Sequence, residues 1–298
     1  GDYVCPGYNA QRVQEGWFHT LGDLNQSVPF VHDELIKWAR YMVRTYDIDG
    51  IRLDTAPYVP REFLGDLQQA VGVPILGEVS TTNFTFFSSY SPAVGPHMLD
   101  GLLNFHTSLV VPAAFCNSFY PHAMLNLTRL GSDMALALTS GRLSDLDLLG
   151  NFADNHDMQR LTELCKGDTS RMSNALAWTM LYKGIPIIYY GTEAFLTSRR
   201  ESLWQHGWST STPGYKLLAE MNRVRKEQQL AVKEAQVKHA DRSTLIFTRG
   251  GDLDTWVFLN NIAEDVASPV RYCPAPPVAP AGQEWVDALS GEVATFSD

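Results

Sequence analysis

The sequence lacks the excess of positive charge that proteins binding nucleic acids carry. It has 33 Asp and Glu residues against 23 Lys and Arg residues, which gives a formal net charge of −10. A phosphate backbone is bound by a basic surface patch, and the sequence shows no such patch. We therefore expect no nucleic-acid partner.

Long apolar runs are also missing. No stretch approaches the roughly 18 apolar residues of a membrane-spanning helix, so we expect no membrane span. The chain does not open with a signal peptide either. It begins with Gly1 rather than Met, which is typical of a processed product or of an internal part of a longer protein.

Cysteine is scarce, with four residues at Cys5, Cys116, Cys165 and Cys273. None of them forms a Cys-x-x-Cys pair, so we expect no cysteine-bound metal cluster. Their number is even, but the pairing cannot be deduced from the sequence. Cys5 and Cys273 lie near the two ends, so their partners could also lie outside this chain.

Three Asn-x-Ser/Thr tripeptides begin at Asn25, Asn83 and Asn126. Such tripeptides are acceptors for N-linked glycans in secreted proteins, although they also arise by chance. They favour a secreted, extracellular glycoprotein.

One stretch, residues 47–57, predicts a short buried strand that ends on a carboxylate. Ile51 and Leu53 are apolar at a spacing of two, and Pro57 prevents the strand from continuing beyond Asp54. Arg52 points to the same face as Asp54 and supplies the positive charge that a carboxylate at a strand end needs. Such a pair holds a carboxylate ionised and oriented, as a nucleophile requires, but it can equally be a structural ion pair.

Two further apolar runs end in the same way. Residues 74–79 end on Glu78, and residues 148–157 end in a cluster of acids around His156 that includes Asp157. Glycoside hydrolysis needs such a set: a carboxylate nucleophile, a carboxylic acid of raised pKa that protonates the leaving oxygen, and polar groups that hold the sugar.

The segments GIRLDTAP, GEVS and FADNHD resemble three of the four short signature segments of the alpha-amylase family of glycoside hydrolases, in the family's order. The resemblance implies that Asp54 is the nucleophile and Glu78 the general acid/base. It makes Asp157 the carboxylate that stabilises the transition state, with Arg52 and His156 as the family's characteristic Arg and His.

The rest of the chain predicts alternating strands and helices, which is typical of a parallel sheet with crossover helices. We expect five such strands, the first ending at Asp54 and the others at 74–79, near 101–105, at 148–153 and at 184–193. Helices are predicted over residues 29–46, with Trp38 on the buried face, over 60–72, and over 213–227. Residues 184–193 are nearly all apolar, which indicates a strand buried on both faces.

The predicted fold class is therefore α/β, a (β/α)8 barrel without its N-terminal strands, followed by a small antiparallel β-sandwich domain. Residues 1–24 are assigned to an excursion domain and approach segment, and residues 25–235 to the C-terminal part of the barrel. Residues 236–298 are assigned to the antiparallel domain, because two alternating segments flank a Gly turn at 250–251. Nothing resembles the family's first signature, so we expect a fragment of a longer enzyme.

Two further expectations concern Tyr58. The family's structural calcium takes a backbone carbonyl at the position of Tyr58, but its other ligands lie on segments that have no match here, so calcium is only a candidate cofactor. Many family members also have Lys-His at the positions of Pro57 and Tyr58. The Tyr58 hydroxyl and ring are the replacement for substrate binding.

The sequence thus predicts a monomeric retaining hydrolase of α-1,4-glucans such as starch, glycogen and maltooligosaccharides. Transglycosylation or α-glucosidase activity would use the same three acids, so both remain alternatives. A non-catalytic glucan-binding or regulatory relative is the alternative from another functional class.

Overall fold

A computed structural model describes residues 8–16, 20–95, 98–116, 119–120, 123–124, 126–252, 254–266 and 284–295. Cys5, Cys273 and the Pro-rich run that follows Cys273 lie outside these ranges. The helices are α1 Ala10–Gln14, α2 Pro29–Tyr46, α3 Arg61–Val71, α4 Phe84–Ser88, α5 Phe105–Ser108, α6 Val111–Cys116, α7 Leu127–Thr139, α8 Leu161–Leu164, α9 Thr169–Leu181 and α10 Pro213–Glu227. The strands are β1 Ile51–Leu53, β2 Ile75–Glu78, β3 Gly101–Leu103, β4 Phe119–Tyr120, β5 Ala123–Met124, β6 Leu149–Asn151, β7 Ile185–Pro186, β8 Ala235–Ala240, β9 Thr244–Arg249, β10 Thr255–Asn260, β11 Glu284–Val286 and β12 Val293–Thr295.

The five predicted strands all form and belong to one sheet, in the order β1-β2-β3-β6-β7. The pairings of β1 with β2, β2 with β3, and β3 with β6 are parallel. Leu53 pairs with Gly77, and Glu78 pairs with Leu103. Because the strands are parallel and in register, the residues that follow β1 and end β2 lie at the same edge of the sheet.

The chain divides into two compact units. Unit 1 comprises Gly1–Leu109 and Leu136–Gly150, and unit 2 comprises Val110–Ala135 and Asn151–Asp298. This division follows contacts within the structure and does not test the predicted division into barrel and C-terminal domain, which stays a prediction.

The core of unit 1 forms between strands β1 to β3 and helices α2 and α3. Helix α3 follows Pro60 and ends at Val71, and its C-cap residue Gly72 has a left-handed φ of 70°. Its residues Phe63, Leu64 and Leu67 are all buried. They pack with strand residues such as Ile75 in one cluster.

Helix α2 has the predicted bounds, but the expected burial of Trp38 was wrong. Ala39 and Val43 are its buried residues, whereas 60% of the Trp38 surface is exposed. Successive residues in a helix are about 100° apart, so Trp38 is turned about 100° and 140° away from Ala39 and Val43. The aromatic ring therefore lies beyond the edge of the buried stripe.

Unit 2 contains the predicted hairpin of β9 and β10, which β8 extends to a separate three-stranded antiparallel sheet. Helices α9 and α10 also belong to this unit, and Trp178 of α9 is fully buried. Cys116 at the end of α6 forms a disulfide with Cys165, a pairing that the sequence had left open.

The prediction that residues 184–193 are buried on both faces was wrong. The strand within them, β7, is two residues long, and Ile185 is 38% exposed. It lies at the end of the strand order, so only one of its edges pairs within the sheet. Among the described residues, no helix is both long and apolar enough to cross a membrane.

Candidate active site

The first group of predicted site residues lies at the strand ends of unit 1. Asp54 directly follows β1, and Glu78 is the last residue of β2. The two strands are paired neighbours, so both carboxylates emerge at one edge of the sheet. The structure thus brings together two acids that are 24 residues apart in the sequence.

A single guanidinium group contacts both carboxylates. Arg52 donates from Nη1 to Asp54 Oδ1 at 2.5 Å and from Nη2 to Glu78 Oε2 at 2.6 Å. The sequence predicted the first contact, because residues two apart in a strand share a face. The second contact depends on the pairing of β1 with β2. A guanidinium suits this position because its donors form a rigid planar fork.

Glu78 has the environment of a general acid. The residue is only 8% exposed. Burial, followed by a hydrogen bond with Asp54, raises the pKa of the Glu78 carboxyl to about 7. The Arg52 charge and the Thr55 backbone N–H act in the opposite direction, but burial outweighs both. A carboxyl group with this pKa exchanges its proton near neutral pH.

The chain turns sharply after Asp54. Thr55 adopts a left-handed conformation with φ of 46°, which is costly for a β-branched residue. Its N–H points to Glu78 Oε2 at 3.4 Å, and its carbonyl accepts from the Tyr58 N–H at 2.9 Å in the short 3-10 helix Ala56–Tyr58. The strained residue thus directs a backbone donor towards the acid of the neighbouring strand.

Tyr58 is half-buried at the end of this turn, and burial raises the pKa of its hydroxyl. The two carbonyls beside it have protein partners: Pro57 accepts from the Tyr8 hydroxyl at 2.9 Å, and Val59 accepts from the Gln14 amide at 3.3 Å. Calcium requires six to eight oxygen ligands. Across the described ranges, no group of three or more His, Cys, Asp or Glu could hold a metal ion. Calcium at the Tyr58 carbonyl therefore stays a prediction, and the catalytic steps proposed for this chain do not depend on a metal.

The second group lies in unit 2, in the loop after β6. Asn155 Oδ1 accepts the N–H groups of Asp157 and Met158, each at 2.9 Å, which folds the loop into a tight turn. Asp157 Oδ2 lies 3.1 Å from His156 Nε2, and the side chains of the two residues are 57% and 43% exposed. The structure therefore brings the predicted Asp and His together at the surface of their unit.

Two arginines that the sequence did not single out hold Asp157. Arg200 donates to its carboxylate at 3.1 Å, and Arg199 donates to its backbone carbonyl at 3.2 Å. They lie 43 and 42 positions further along the chain. No local pattern connects them with the acid, so sequence analysis had no signal for this contact.

Asp154, in the same motif, is buried and holds neighbouring segments together through hydrogen bonds. Its carboxylate accepts from the Leu161 N–H at 3.1 Å and from the Thr192 hydroxyl at 2.9 Å, and it lies 4.0 Å from the Arg160 guanidinium. Arg160 itself is fully buried, and its guanidinium stacks 4.1 Å from the centre of the Tyr189 ring. Burial raises the pKa of Asp154 despite these partners.

Glu193, the last residue of the apolar run 184–193, accepts a hydrogen bond from the Gly191 N–H at 2.8 Å. That contact is within its own loop and closes the turn after β7. The predicted residues are thus gathered into two sets. Asp54, Arg52 and Glu78 lie together in unit 1, and His156 and Asp157 lie together in unit 2.

Parallel strands that carry an ionised Asp, a protonatable Glu and a shared Arg at their ends are the arrangement expected of an α/β glycoside hydrolase. Comparison with known proteins identifies the family. A family model described as the alpha-amylase catalytic domain matches residues 14–252. The chain belongs to the alpha-amylase family.

The chain is 33% identical over 232 residues to alpha-amylase 1 of Lipomyces kononenkoae, covering 73% of this chain and 34% of that protein. It is 30% identical over 264 residues to alpha-amylase 2 of Schwanniomyces occidentalis, covering 85% of this chain and 50% of that protein. An alpha-amylase structure from Malbranchea cinnamomea superposes with a TM-score of 0.84 at 28% identity, over 97% of this chain and 61% of that one. The chain therefore spans a third to a half of the length of these two curated relatives.

Proposed function

We propose that the protein is a retaining glycoside hydrolase of the alpha-amylase type that acts on α-1,4-linked glucans such as starch, glycogen and maltooligosaccharides. The observation that carries the proposal is the Arg52 guanidinium bound to both Asp54 and Glu78, with the pKa of Glu78 raised to about 7. One carboxyl can thus be charged while its neighbour holds a proton, as double displacement requires.

In the first step, an oxygen of Asp54 forms a bond to the anomeric carbon while the glycosidic C–O bond breaks. Glu78 transfers its proton to the departing oxygen, so the leaving sugar is released as a neutral alcohol. Arg52 stabilises Asp54 as the carboxylate that can attack. Because Asp54 is two-thirds exposed in its side chain, it is open to a substrate that approaches the strand end.

In the second step, the Glu78 carboxylate accepts a proton from water, and the resulting hydroxide attacks the anomeric carbon. The bond to Asp54 breaks, and Glu78 is again protonated for the next cycle. A pKa near the working pH suits a residue that must both donate and accept a proton.

Asp157 and His156 are proposed to hold the sugar hydroxyls as positive charge develops on the ring. Their exposure supports this role, because exposed polar groups can exchange water for sugar hydroxyls. Tyr58 is proposed to contact the sugar on the leaving-group side through its ring and hydroxyl.

We also propose that the protein is secreted. A disulfide between Cys116 and Cys165 is typical of an oxidising compartment. Asn25 and Asn83, which begin two of the glycosylation tripeptides, are exposed. The monomeric state stays a prediction that sedimentation velocity would check.

Release of reducing sugar from soluble starch tests the proposed activity. Asp54→Asn and Glu78→Gln keep the shape of each side chain and should each lower kcat by at least about 10²- to 10⁴-fold. Asp49→Asn is the matched control, since Asp49 is an exposed acid just before β1 and should leave the rate unchanged. Near-wild-type rates in both site variants would refute the assignment, and transglycosylation products in place of free sugar would select the alternative activity.

A further inference from the structure

Two tryptophans of unit 2 lie in water. Trp204, in the 3-10 helix Leu203–His206, is 68% exposed, and Trp208, just after Gly207, is 72% exposed. Tryptophan is usually among the more buried residues because its ring removes so much apolar surface from water. Two exposed indoles four residues apart therefore need a physical explanation.

The residues before these tryptophans are fixed to the loop that carries Asp157. The Ser198 carbonyl accepts from Arg160 at 3.0 Å, and the Arg199 carbonyl accepts from the Tyr189 hydroxyl at 2.8 Å. Arg200 then pairs with Asp157 at 3.1 Å. The first residues of the segment are thus bonded to the loop that carries the proposed sugar-binding acid.

The end of the segment is fixed as well. The Thr212 hydroxyl donates to the Glu193 carbonyl at 2.6 Å, immediately before helix α10 begins. Between the two ends, His206 Nε2 and Glu201 Oε1 are 2.7 Å apart. This contact links the 3-10 turn to the residues that precede it. Residues 198–212, here called the tryptophan segment, form a loop that is fixed at both ends and exposes both indoles.

Chain length limits how far Trp204 is from Asp157. Trp204 is four positions after Arg200, and an extended chain covers at most about 3.6 Å per residue, so their Cα atoms are within about 14 Å. Arg200 itself contacts Asp157, so Trp204 lies within reach of a glucan of a few sugar units that is bound at Asp157. Trp208 follows four positions later.

We propose that Trp204 and Trp208 form a binding platform for a stretch of α-glucan beyond the sugar held at Asp157. The flat C–H face of a glucose ring stacks on an indole, which offers a large, rigid apolar surface. Gln205, Ser209 and Ser211, which are near the two tryptophans in sequence, are exposed and able to bond sugar hydroxyls. The platform rests on the proposed function, because its ligand is the same glucan.

Affinity electrophoresis in gels that contain glycogen tests the platform. Trp204→Ala combined with Trp208→Ala should weaken glycogen binding by about 5- to 100-fold, since each lost ring removes a stacking contact. The loss should grow with the length of maltooligosaccharide used as competitor. Trp204→Phe with Trp208→Phe keeps an aromatic ring at both positions and should restore most of the affinity.

Trp38→Ala is the matched control, because Trp38 is a comparably exposed tryptophan in unit 1, at 60%. It should be retarded like the wild type. Equal retardation of the wild type and the double alanine variant would overturn the platform, as would a wild type that glycogen does not retard. Release of reducing sugar is measured in parallel. If a longer protein that contains this chain binds glycogen through the two tryptophans but releases no sugar, the proposed hydrolysis is refuted and the platform still stands.

Discussion

The two units differ in which of the acids at their strand ends is buried. In unit 1 the proposed acid/base is itself buried, since Glu78 is 8% exposed, whereas the side chain of the proposed nucleophile Asp54 is 67% exposed. In unit 2 the two roles are divided between acids three residues apart: Asp154 is 3% exposed, whereas the Asp157 side chain is 57% exposed. In unit 2, one motif therefore carries a buried supporting acid and a separate, exposed acid that is proposed to bind sugar. In unit 1, the buried acid Glu78 is itself proposed to react.

The difference follows from what each carboxyl has to do. An acid that must hold a proton near neutral pH has to be withdrawn from water, so its desolvation cost is part of its chemistry. An acid that stays ionised and meets sugar hydroxyls is better left in water, and its loop is then stabilised by other residues. Substitution of Glu78 should accordingly alter stability and activity together, whereas in unit 2 the two effects should be separable.

The largest expected effect is the loss of the disulfide in unit 2. Replacing Cys116 and Cys165 with Ala opens a loop with a sequence separation of 49. Loop-closure entropy predicts a decrease of about 4 kcal/mol in the free energy of unfolding. Urea unfolding followed by circular dichroism measures it, with the reduced wild-type protein for comparison. A decrease below about 1 kcal/mol would mean that the loop stays ordered without its cross-link.

Next is Arg160→Met, which removes the buried guanidinium beside Asp154 and Tyr189. The carboxylate then stays buried without its positive neighbour, so the free energy of unfolding should fall by about 3 kcal/mol. Thermal unfolding across pH separates this effect from lost packing, because the deficit should shrink at acidic pH once Asp154 is protonated. A deficit that is independent of pH would mean that Arg160 acts through packing alone.

A third effect concerns Glu78 and pH. Its pKa is raised from 4.5 to about 7 in the folded protein, so the folded state binds the proton more tightly than the unfolded state. Stability should therefore fall between about pH 4.5 and pH 7, by up to about 3 kcal/mol from this residue. Glu78→Gln should abolish that decrease. If urea unfolding gave parallel pH profiles for variant and wild type, the raised pKa would be refuted.

The smallest expected effect is that of Arg200→Met in unit 2. The Arg200 and Asp157 side chains are 70% and 57% exposed, so their ion pair should contribute less than about 1 kcal/mol to stability. The unfolding midpoint in urea should barely change. A loss as large as that expected for Arg160→Met would show that the exposed residues of unit 2 stabilise it as much as the buried ones do.

The elements that could be predicted from sequence were those with a local cause. Apolar runs and turn residues located the five strands of the sheet and placed Asp54 and Glu78 at strand ends. A proline and a left-handed glycine predicted the two ends of α3. The contacts that could not be predicted depend on pairing between distant segments, such as the second contact of Arg52 and the hold of Arg200 on Asp157.

Two local predictions failed for reasons that lie outside the local pattern. Trp38 fits the apolar spacing of α2, but it lies at the margin of the stripe, where the neighbouring elements decide whether a ring is covered. The strand β7 has the composition of a doubly covered strand, but composition does not reveal that it ends the strand order. The left-handed Thr55 was not predicted either, because β-branched residues disfavour that conformation.

The position of Arg52 between two acids has a consequence for electrical balance. Before reaction, the charges of Arg52 and Asp54 cancel, and Glu78 is neutral while it carries its proton. In the proposed covalent intermediate, Asp54 is an uncharged ester, and Glu78 has become the anion. The three side chains sum to zero in both states, and the counter-ion of the guanidinium simply changes from one acid to the other. Both acids are already within hydrogen-bonding distance of Arg52, so this exchange needs no ion from solution and little movement of the protein.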